Sequence, residues 1–530
     1  MKDQSQNKKK RNIKNKSSEE KIIDQAIYLH EQGNISEAFK YYKYCINKGL
    51  SDPRIFSNYA LILKNIGKLK EAELFTRKAI ELNPRFVNAY VNLGNILQHT
   101  GRLEEAETSS LKAIELKWDC PVAHYNLGLI SKALGKSEQS EISYRKAIEL
   151  NPYFASAYCN LGGLLKDIGN LKEAELQLLK AIEIDKNLSE PYFILSTLNY
   201  SEKTKNWQSY LFSKTILNKK KQSDLVNIYF ARSNVMHKQK QFKESEKFLI
   251  QANEVKLKIF PSDLEIRSKQ HRQILAEFGK YNIQEKKTSL NKQNIFILGM
   301  PRSGTTLIES IISMNTKVDT LGEVNIFEES FLKWKENLKK NIKSSLDEIY
   351  AKKIGEKYPF SKINSNKWLY NYQYVGIIES HIINSKIIYC NRNPLDNILS
   401  IYRANFSSGN HYATSLIDCA KIYLEHEKII HEYKTRFGSK IYDLNYDFLV
   451  NNPDKEIKSL ISWLGWEWQE YYLSPHLNCR LVSTASSVQV RSPINSKSVG
   501  GWKNYKEMLQ PAIKILSETD RYQELVSEII

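Results

Sequence analysis

No stretch of this 530-residue sequence approaches the ~18–20 consecutive apolar residues needed to cross a bilayer. A membrane span is therefore not expected. Cysteine is also scarce. Cys45, Cys120, Cys159, Cys390, Cys419 and Cys479 lie far apart, mostly among apolar neighbours, and form no CxxC pair. That pattern excludes a disulfide framework and a cysteine metal site, and suits buried thiols in a reducing compartment. Residues 1–17 are rich in Lys and Asn and lack the apolar core of a signal peptide, so a disordered basic arm and a cytoplasmic location are expected. The net charge of +19 fits an anionic ligand. Lysines are spread through the chain without gathering on one element, and no zinc-ligand spacing occurs, so nucleic-acid binding is not expected.

What the sequence does have, from about residue 18, is a repeat. Gly33, Gly67, Gly101, Gly135 and Gly169 stand 34 residues apart. Ala38, Ala72, Ala106 and Ala174 keep that period, with Ser140 in the fourth slot, and so do Ala79, Ala113, Ala147 and Ala181. Asn92-Leu-Gly, Asn126-Leu-Gly and Asn160-Leu-Gly mark one point in three first helices. Pro84 and Pro152 are expected to open repeats, where a missing N–H costs nothing. Period and residue types resemble the tetratricopeptide (TPR) repeat, a pair of antiparallel helices. A degenerate sixth copy is expected near Pro191–Asn218 and a seventh around Tyr229–Ala252. The resemblance implies a superhelix whose concave face holds a protein or peptide.

The second feature is Asn294-Ile-Phe-Ile-Leu-Gly-Met-Pro-Arg-Ser-Gly-Thr-Thr-Leu-Ile-Glu-Ser-Ile-Ile312. A short apolar run of strand length leads into the loop Gly299–Gly304 and then into apolar residues at helical spacing. Strand, glycine loop and helix N-terminus make an anion cradle of backbone N–H groups. The two glycines match the nucleotide-triphosphate loop in spacing, but Thr305 replaces its lysine, which disfavours an ATPase or kinase. Arg302 supplies a cation from within the loop.

Pro-Arg-Ser-Gly-Thr-Thr after a strand resembles the 5′-phosphosulfate loop of sulfotransferases, which use 3′-phosphoadenylyl sulfate (PAPS) as donor. Further phrases follow in family order. Gly322-Glu323 resembles the site that supplies the catalytic base in protein-tyrosine sulfotransferases. A carboxylate there can take a hydroxyl proton, and burial is expected to raise its pKa. His381, His411, His426, His431 and His476 are alternative bases without a motif. Residues 326–365 read as lysine-rich helix. In Asn366-Lys367-Trp-Leu-Tyr-Asn371, Lys367 matches a charge-neutralising lysine, while Leu369 replaces the usual Pro. Ile387–Cys390 reads as a second buried strand with Arg392 at its end, and Pro394 opens a helix carrying Ser400. Arg392 with Ser400 resembles the 3′-phosphate clamp. Ala404 fills the slot of a further family arginine, with Arg403 adjacent. Tyr446, in Ile441–Val450, matches a cofactor contact, whereas Ile457–Trp468 reads as a packing helix and turn. The polar stretch Thr484–Trp502 resembles the loop that folds over the nucleotide. There Ser487 matches a transition-state-stabilising serine, Gln489, Arg491 and Lys497 are candidate contacts, and Gly501 stands in place of a basic residue.

The resemblances imply a multidomain chain: a basic arm (1–17), an all-α TPR superhelix (18–257), a capping helix and linker (258–293), and an α/β P-loop-type sulfotransferase domain with a central parallel sheet (294–530). The expected donor contacts are Arg302, Ser303, Gly304, Thr305, Thr306, Arg392, Ser400, Tyr446, Gln489, Arg491 and Lys497. The expected catalytic groups are Glu323, Lys367, Ser487 and Arg302, with PAPS as co-substrate and no metal. A protein or peptide tyrosine is the leading acceptor. A saccharide hydroxyl, a non-catalytic TPR scaffold and a TPR-fused sugar transferase are the alternatives, and the oligomeric state is left open.

Overall fold

The computed structural model describes residues 18–200, 206–278, 292–357, 362–406, 409–478 and 480–523. The basic arm 1–17, Cys479 and linker residues 279–291 lie outside them. The described residues fall into two compact units, 18–164 with Glu183–Asp185, and Leu165–Ile182 with those of 186–523.

The first unit is built from helix pairs α1/α2 (Ser18–Glu31, Ile35–Asn47), α3/α4 (Pro53–Asn65, Leu69–Leu82), α5/α6 (Val87–His99, Leu103–Leu116) and α7/α8 (Pro121–Ala133, Ser137–Leu150), followed by α9 (Ala155–Ile168), whose last residues, from Leu165, belong to the second unit. First helices of successive pairs begin at 53, 87, 121 and 155, which is the 34-residue period in space. Ala38, Ala72, Ala106, Ala79, Ala113 and Ala147 are all fully buried. A side chain no larger than a methyl lets helix axes come close at these points. The Asn of each Asn-Leu-Gly phrase reaches back one repeat. Asn92 Nδ2 donates to the Ser57 carbonyl and hydroxyl, Asn126 Nδ2 to the Val91 carbonyl and Asn160 Nδ2 to the Tyr125 hydroxyl. One expectation fails. Pro84 and Pro152 precede their helices by three residues; Pro53 and Pro121 occupy the first helical turn instead.

In the second unit, α10 (Leu171–Ile184) is followed by the short helices α11 (Glu190–Thr197) and α12 (Trp207–Phe212), then by the long pair α13 (Gln222–Lys238) and α14 (Phe242–Ile259), and by α15 (Leu264–Phe278). A five-stranded parallel sheet comes next. Its strands are β1 (Gln293–Gly299), β2 (Val318–Gly322), β3 (Ile363–Asn366), β4 (Ser385–Asn391) and β5 (Ile441–Asn445), in the order β2-β3-β1-β4-β5. The helices between them are α16 (Thr305–Ile312), α17 (Ile326–Lys339), α18 (Leu346–Lys357), α19 (Val375–His381), α20 (Pro394–Tyr402) and α21 (Leu416–Phe437), and α22 (Tyr446–Asn451) follows β5. Helices α23 (Pro453–Leu464) and α24 (Gln510–Ser517) complete the fold. The described residues of 326–365 thus hold two helices and a strand rather than one helix. The strand escapes a pattern search because Asn364, Ser365 and Asn366, all buried, are polar.

Strand β1 shows why the sheet is covered twice. Ile295 and Ile297 meet Ile308 and Ile312 of α16 and Leu460 of α23. Phe296 and Leu298, pointing the other way, share a core with Phe327, Phe331, Tyr350 and Ile378. Parallel sheets need apolar cover on both faces, so the strand reads as one continuous apolar run. A further core joins Val226, Phe230, Leu249 and Ala252 of α13 and α14 to Leu399 of α20, Cys419 of α21, Trp502, Tyr505 and Leu516 of α24. The line drawn at 257/258 therefore separates residues that share a core. His237 Nδ1 pairs with the Tyr505 hydroxyl at 2.8 Å, and Lys256 donates to the Phe406 carbonyl at 2.7 Å.

Candidate functional site

The residue that follows each strand, or the loop that does, carries a candidate site group. β1 leads into Gly299–Gly304, β2 into Glu323, β3 into Lys367, β4 into Arg392 and β5 into Tyr446. Strand β1 lies between β3 and β4, where the chain order along the sheet reverses. Crevices outside the carboxyl ends of strands, at such a reversal, are where open α/β sheets bind ligands.

Loop Gly299–Gly304 turns sharply before α16. Arg302 (φ 68°) and Gly304 (φ 104°) both take left-handed conformations. A Cβ on Gly304 would lie 2.4 Å from Tyr446 Cδ2, so only glycine lets that ring close over the loop. The Tyr446 hydroxyl pairs with Ser498 Oγ at 3.0 Å, and the Arg392 guanidinium sits 4.9 Å from the centre of the ring.

Arg302 spreads its donors over three side chains: Nε to Ser400 Oγ (3.0 Å), Nη2 to Gln489 Oε1 (2.8 Å) and Nη1 to Ser486 Oγ. Burial, helped by the nearby Arg392 charge, pushes its pKa down to about 10. Arg392 is 8% exposed and donates to the carbonyls of Arg302 (3.1 Å) and Ser498 (2.7 Å). Its Nε and Ser303 Oγ are buried without a hydrogen-bond partner among the described residues.

On the other flank Lys367 is fully buried and donates to Glu323 Oε1 at 2.5 Å, with Thr306 Oγ1 at 3.5 Å. Glu323 is 38% exposed, so the burial expected for this carboxylate is missing and its partner is an ammonium. Sequence reasoning missed two neighbours. Glu309 of α16, buried, lies 3.8 Å from Lys367 Nζ and 2.9 Å from Arg480 Nη1. An acidic residue inside the apolar run Leu307–Ile312 is the signal that could have drawn attention to it.

Other expected groups fall elsewhere. Ser487 is buried and closes a turn through its N–H to the Thr484 carbonyl (3.0 Å), while its neighbour Ser486 reaches Arg302. Arg491 directs its guanidinium to the carbonyls of Asn478, Arg480 and Asp167. Lys497 is exposed. Arg403 meets His237 Nε2 at 3.0 Å. The slot of Gly501 belongs to a turn held by Asp396, whose carboxylate accepts from Gly500 N (2.7 Å) and Trp502 N (2.9 Å). Where Leu369 replaces proline, a 3-10 helix spans Leu369–Tyr374. His381 packs on Trp334, His411 on Phe260 and His426 on Tyr372 and Tyr389. Among the described residues no group of three or more His, Cys, Asp or Glu could hold a metal, and no helix is long and apolar enough to cross a membrane.

The sulfotransferase family profile matches residues 294–470, and tetratricopeptide repeat profiles match 53–86, 75–108, 121–154 and 143–176. An uncharacterized protein of Aquifex aeolicus (strain VF5) is 29% identical over 320 residues, 54% of this chain and 41% of that relative. The match thus spans less than half of the relative's length. Solved structures similar to part of the chain include a thermophilic TPR protein of Thermus thermophilus, at 20% identity over 32% of this chain and 92% of that one, with a TM-score of 0.29. MamA of Desulfovibrio magneticus RS-1 shows 20% identity over 32% and 97%, with a TM-score of 0.28. Pseudomonas aeruginosa pilF shows 18% identity over 48% and 97%, with a TM-score of 0.30. The chain thus carries tetratricopeptide repeats in its N-terminal region and a sulfotransferase-family domain toward its C-terminus.

Proposed function

We propose that the chain transfers a sulfuryl group from PAPS to an acceptor hydroxyl, with adenosine 3′,5′-bisphosphate as the leaving group and a protein or peptide tyrosine as the leading acceptor. The observation that carries this reading is the gathering of Arg302, Lys367, Glu323, Arg392 and Tyr446 at the ends of five parallel strands around one glycine-turned loop. The donor set suits a phosphosulfate. Backbone N–H groups at the start of α16, the hydroxyls of Ser303, Thr305 and Thr306, and Arg302 would hold the 5′ end. Arg392, with Ser400 nearby on α20, would take the 3′-phosphate, and Tyr446 would face the nucleotide. The unpartnered Arg392 Nε and Ser303 Oγ support the assignment, since buried polar atoms without a partner call for one.

When bound, the donor supplies an activated sulfuryl group. The chain's own work is then positioning and charge. Glu323, partly exposed, accepts the acceptor hydroxyl proton at a carboxylate oxygen. Lys367 holds that carboxylate and presents an ammonium beside Thr306. Arg302, braced by Ser400, Ser486 and Gln489, keeps positive charge at the loop. The carboxylate base resembles that of the tyrosine-sulfating enzymes, and a repeat array suits a polypeptide acceptor or partner.

Incubation with sulfur-labelled PAPS and matched panels of tyrosine peptides and oligosaccharides tests the acceptor. Label on tyrosine peptides is expected. Label on saccharides alone would remove the tyrosine assignment, and no transfer to either would favour the scaffold.

A further inference from the structure

We infer that the turn of the fifth repeat is a positioning element for the donor loop, acting through Arg491 and the strap of residues 480–491. This rests on the donor reading above. The strap has an inner and an outer side. Inward, Ser486 and Gln489 brace Arg302, Thr484 Oγ1 meets Thr306 Oγ1 at 3.4 Å, and Arg480 ties to Glu309 (2.9 Å) and to Ser310 Oγ (3.0 Å). One segment thus touches both the loop and the first turns of α16.

Outward, the strap is fastened to the turn between α9 and α10. The Asp167 carbonyl accepts from Val482 N (3.0 Å) and from Arg491 Nη2 (3.1 Å), and Ser483 Oγ donates to the Asp167 carboxylate at 3.4 Å. Arg491 also donates to the carbonyls of Asn478 and Arg480, so one guanidinium gathers both ends of the strap and the repeat turn. A fork of fixed geometry is suited to holding several carbonyls at once.

The fifth turn differs from the others in how its glycine is used. Gly33, Gly67, Gly101 and Gly135 have φ of 75–82° and open space where a Cβ would stand. Gly169 has φ 104°, and a Cβ there would lie 2.7 Å from Arg491 Nε and 3.1 Å from its Cζ. Bare backbone at this one turn is what lets the guanidinium lie flat against it. Arg491 is accordingly a positioning residue: it sets Ser486 and Gln489, and through them Arg302.

Gly135 provides a matched control. Gly169→Ala and Gly135→Ala both place alanine at positive φ, yet only the first strikes Arg491. Binding of adenosine 3′,5′-bisphosphate to the full chain is measured by calorimetry for both, for Arg491→Ala and for Gly169→Ala/Arg491→Ala. Gly169→Ala and Arg491→Ala are each expected to weaken binding about tenfold, within the range of coupling mutations. Gly135→Ala should bind like wild type, and the double variant should be no weaker than Arg491→Ala alone. Wild-type binding with equal affinities for Gly169→Ala and Gly135→Ala would overturn the inference. Additive losses in the double variant would overturn it too. A wild type that fails to bind would instead reject the donor reading itself.

Discussion

At the residue scale the site is decided by pairings that a sequence cannot display. Lys367 is legible as a candidate because it follows Asn366 in a recognisable phrase. Its bond to Glu323, 2.5 Å long, joins positions 44 residues apart. Ser486 rather than Ser487 reaches Arg302, and adjacent serines look alike in a string. Arg491 was legible as a functional arginine but not as one engaged by three carbonyls. If Lys367 carries charge for the reaction, Lys367→Met should lower kcat by ~10²–10³ while the KM for donor changes much less. Steady-state kinetics against the donor check this, and a loss confined to KM would assign the lysine to binding instead.

At the element scale, apolar period and glycine spacing make the helix pairs, β1 and β4 readable. β3 is not, because its buried Asn364, Ser365 and Asn366 mimic a loop. Helices α13 and α14 are readable as a repeat, but their second role as cover for α20 and α21 is not, since an apolar face does not name its partner. Helix α21 carries a consequence for acid stability. His426 lies buried between Tyr372 and Tyr389 with neither ring nitrogen hydrogen-bonded among the described residues, and burial pushes its pKa down from 6.5 to about 3. The folded state keeps the imidazole neutral, while the unfolded chain takes up a proton below pH 6.5. The stability contribution is therefore full above the unfolded value and is lost as pH falls toward 3. Between about pH 7 and 5 this one group should cost about 2 kcal/mol. Urea unfolding of wild type and His426→Phe at the two pH values checks it: the variant should lose less stability on acidification, and equal losses would contradict the assignment.

At the scale of the whole molecule, the order of repeats and then P-loop-type domain could be read from the sequence because each part repeats or resembles a local pattern. The boundary could not be read. Leu165–Ile182 and Lys186–Ile259 belong to the compact unit that holds the sheet, since tertiary packing rather than repeat register sets the boundary. A site for a nucleotide bearing a 3′-phosphate, built from five strand ends as proposed above, is detected by thermal stabilisation. Adenosine 3′,5′-bisphosphate, 5′-AMP and ATP are compared on wild type and on Arg392→Ala. At about a hundredfold excess over Kd, the bisphosphate should stabilise wild type by about 2.7 kcal/mol, with a smaller effect from the other two. Arg392→Ala should abolish that preference. Equal stabilisation of wild type by 5′-AMP, or a preference that survives in Arg392→Ala, would rule out a 3′-phosphate site at Arg392.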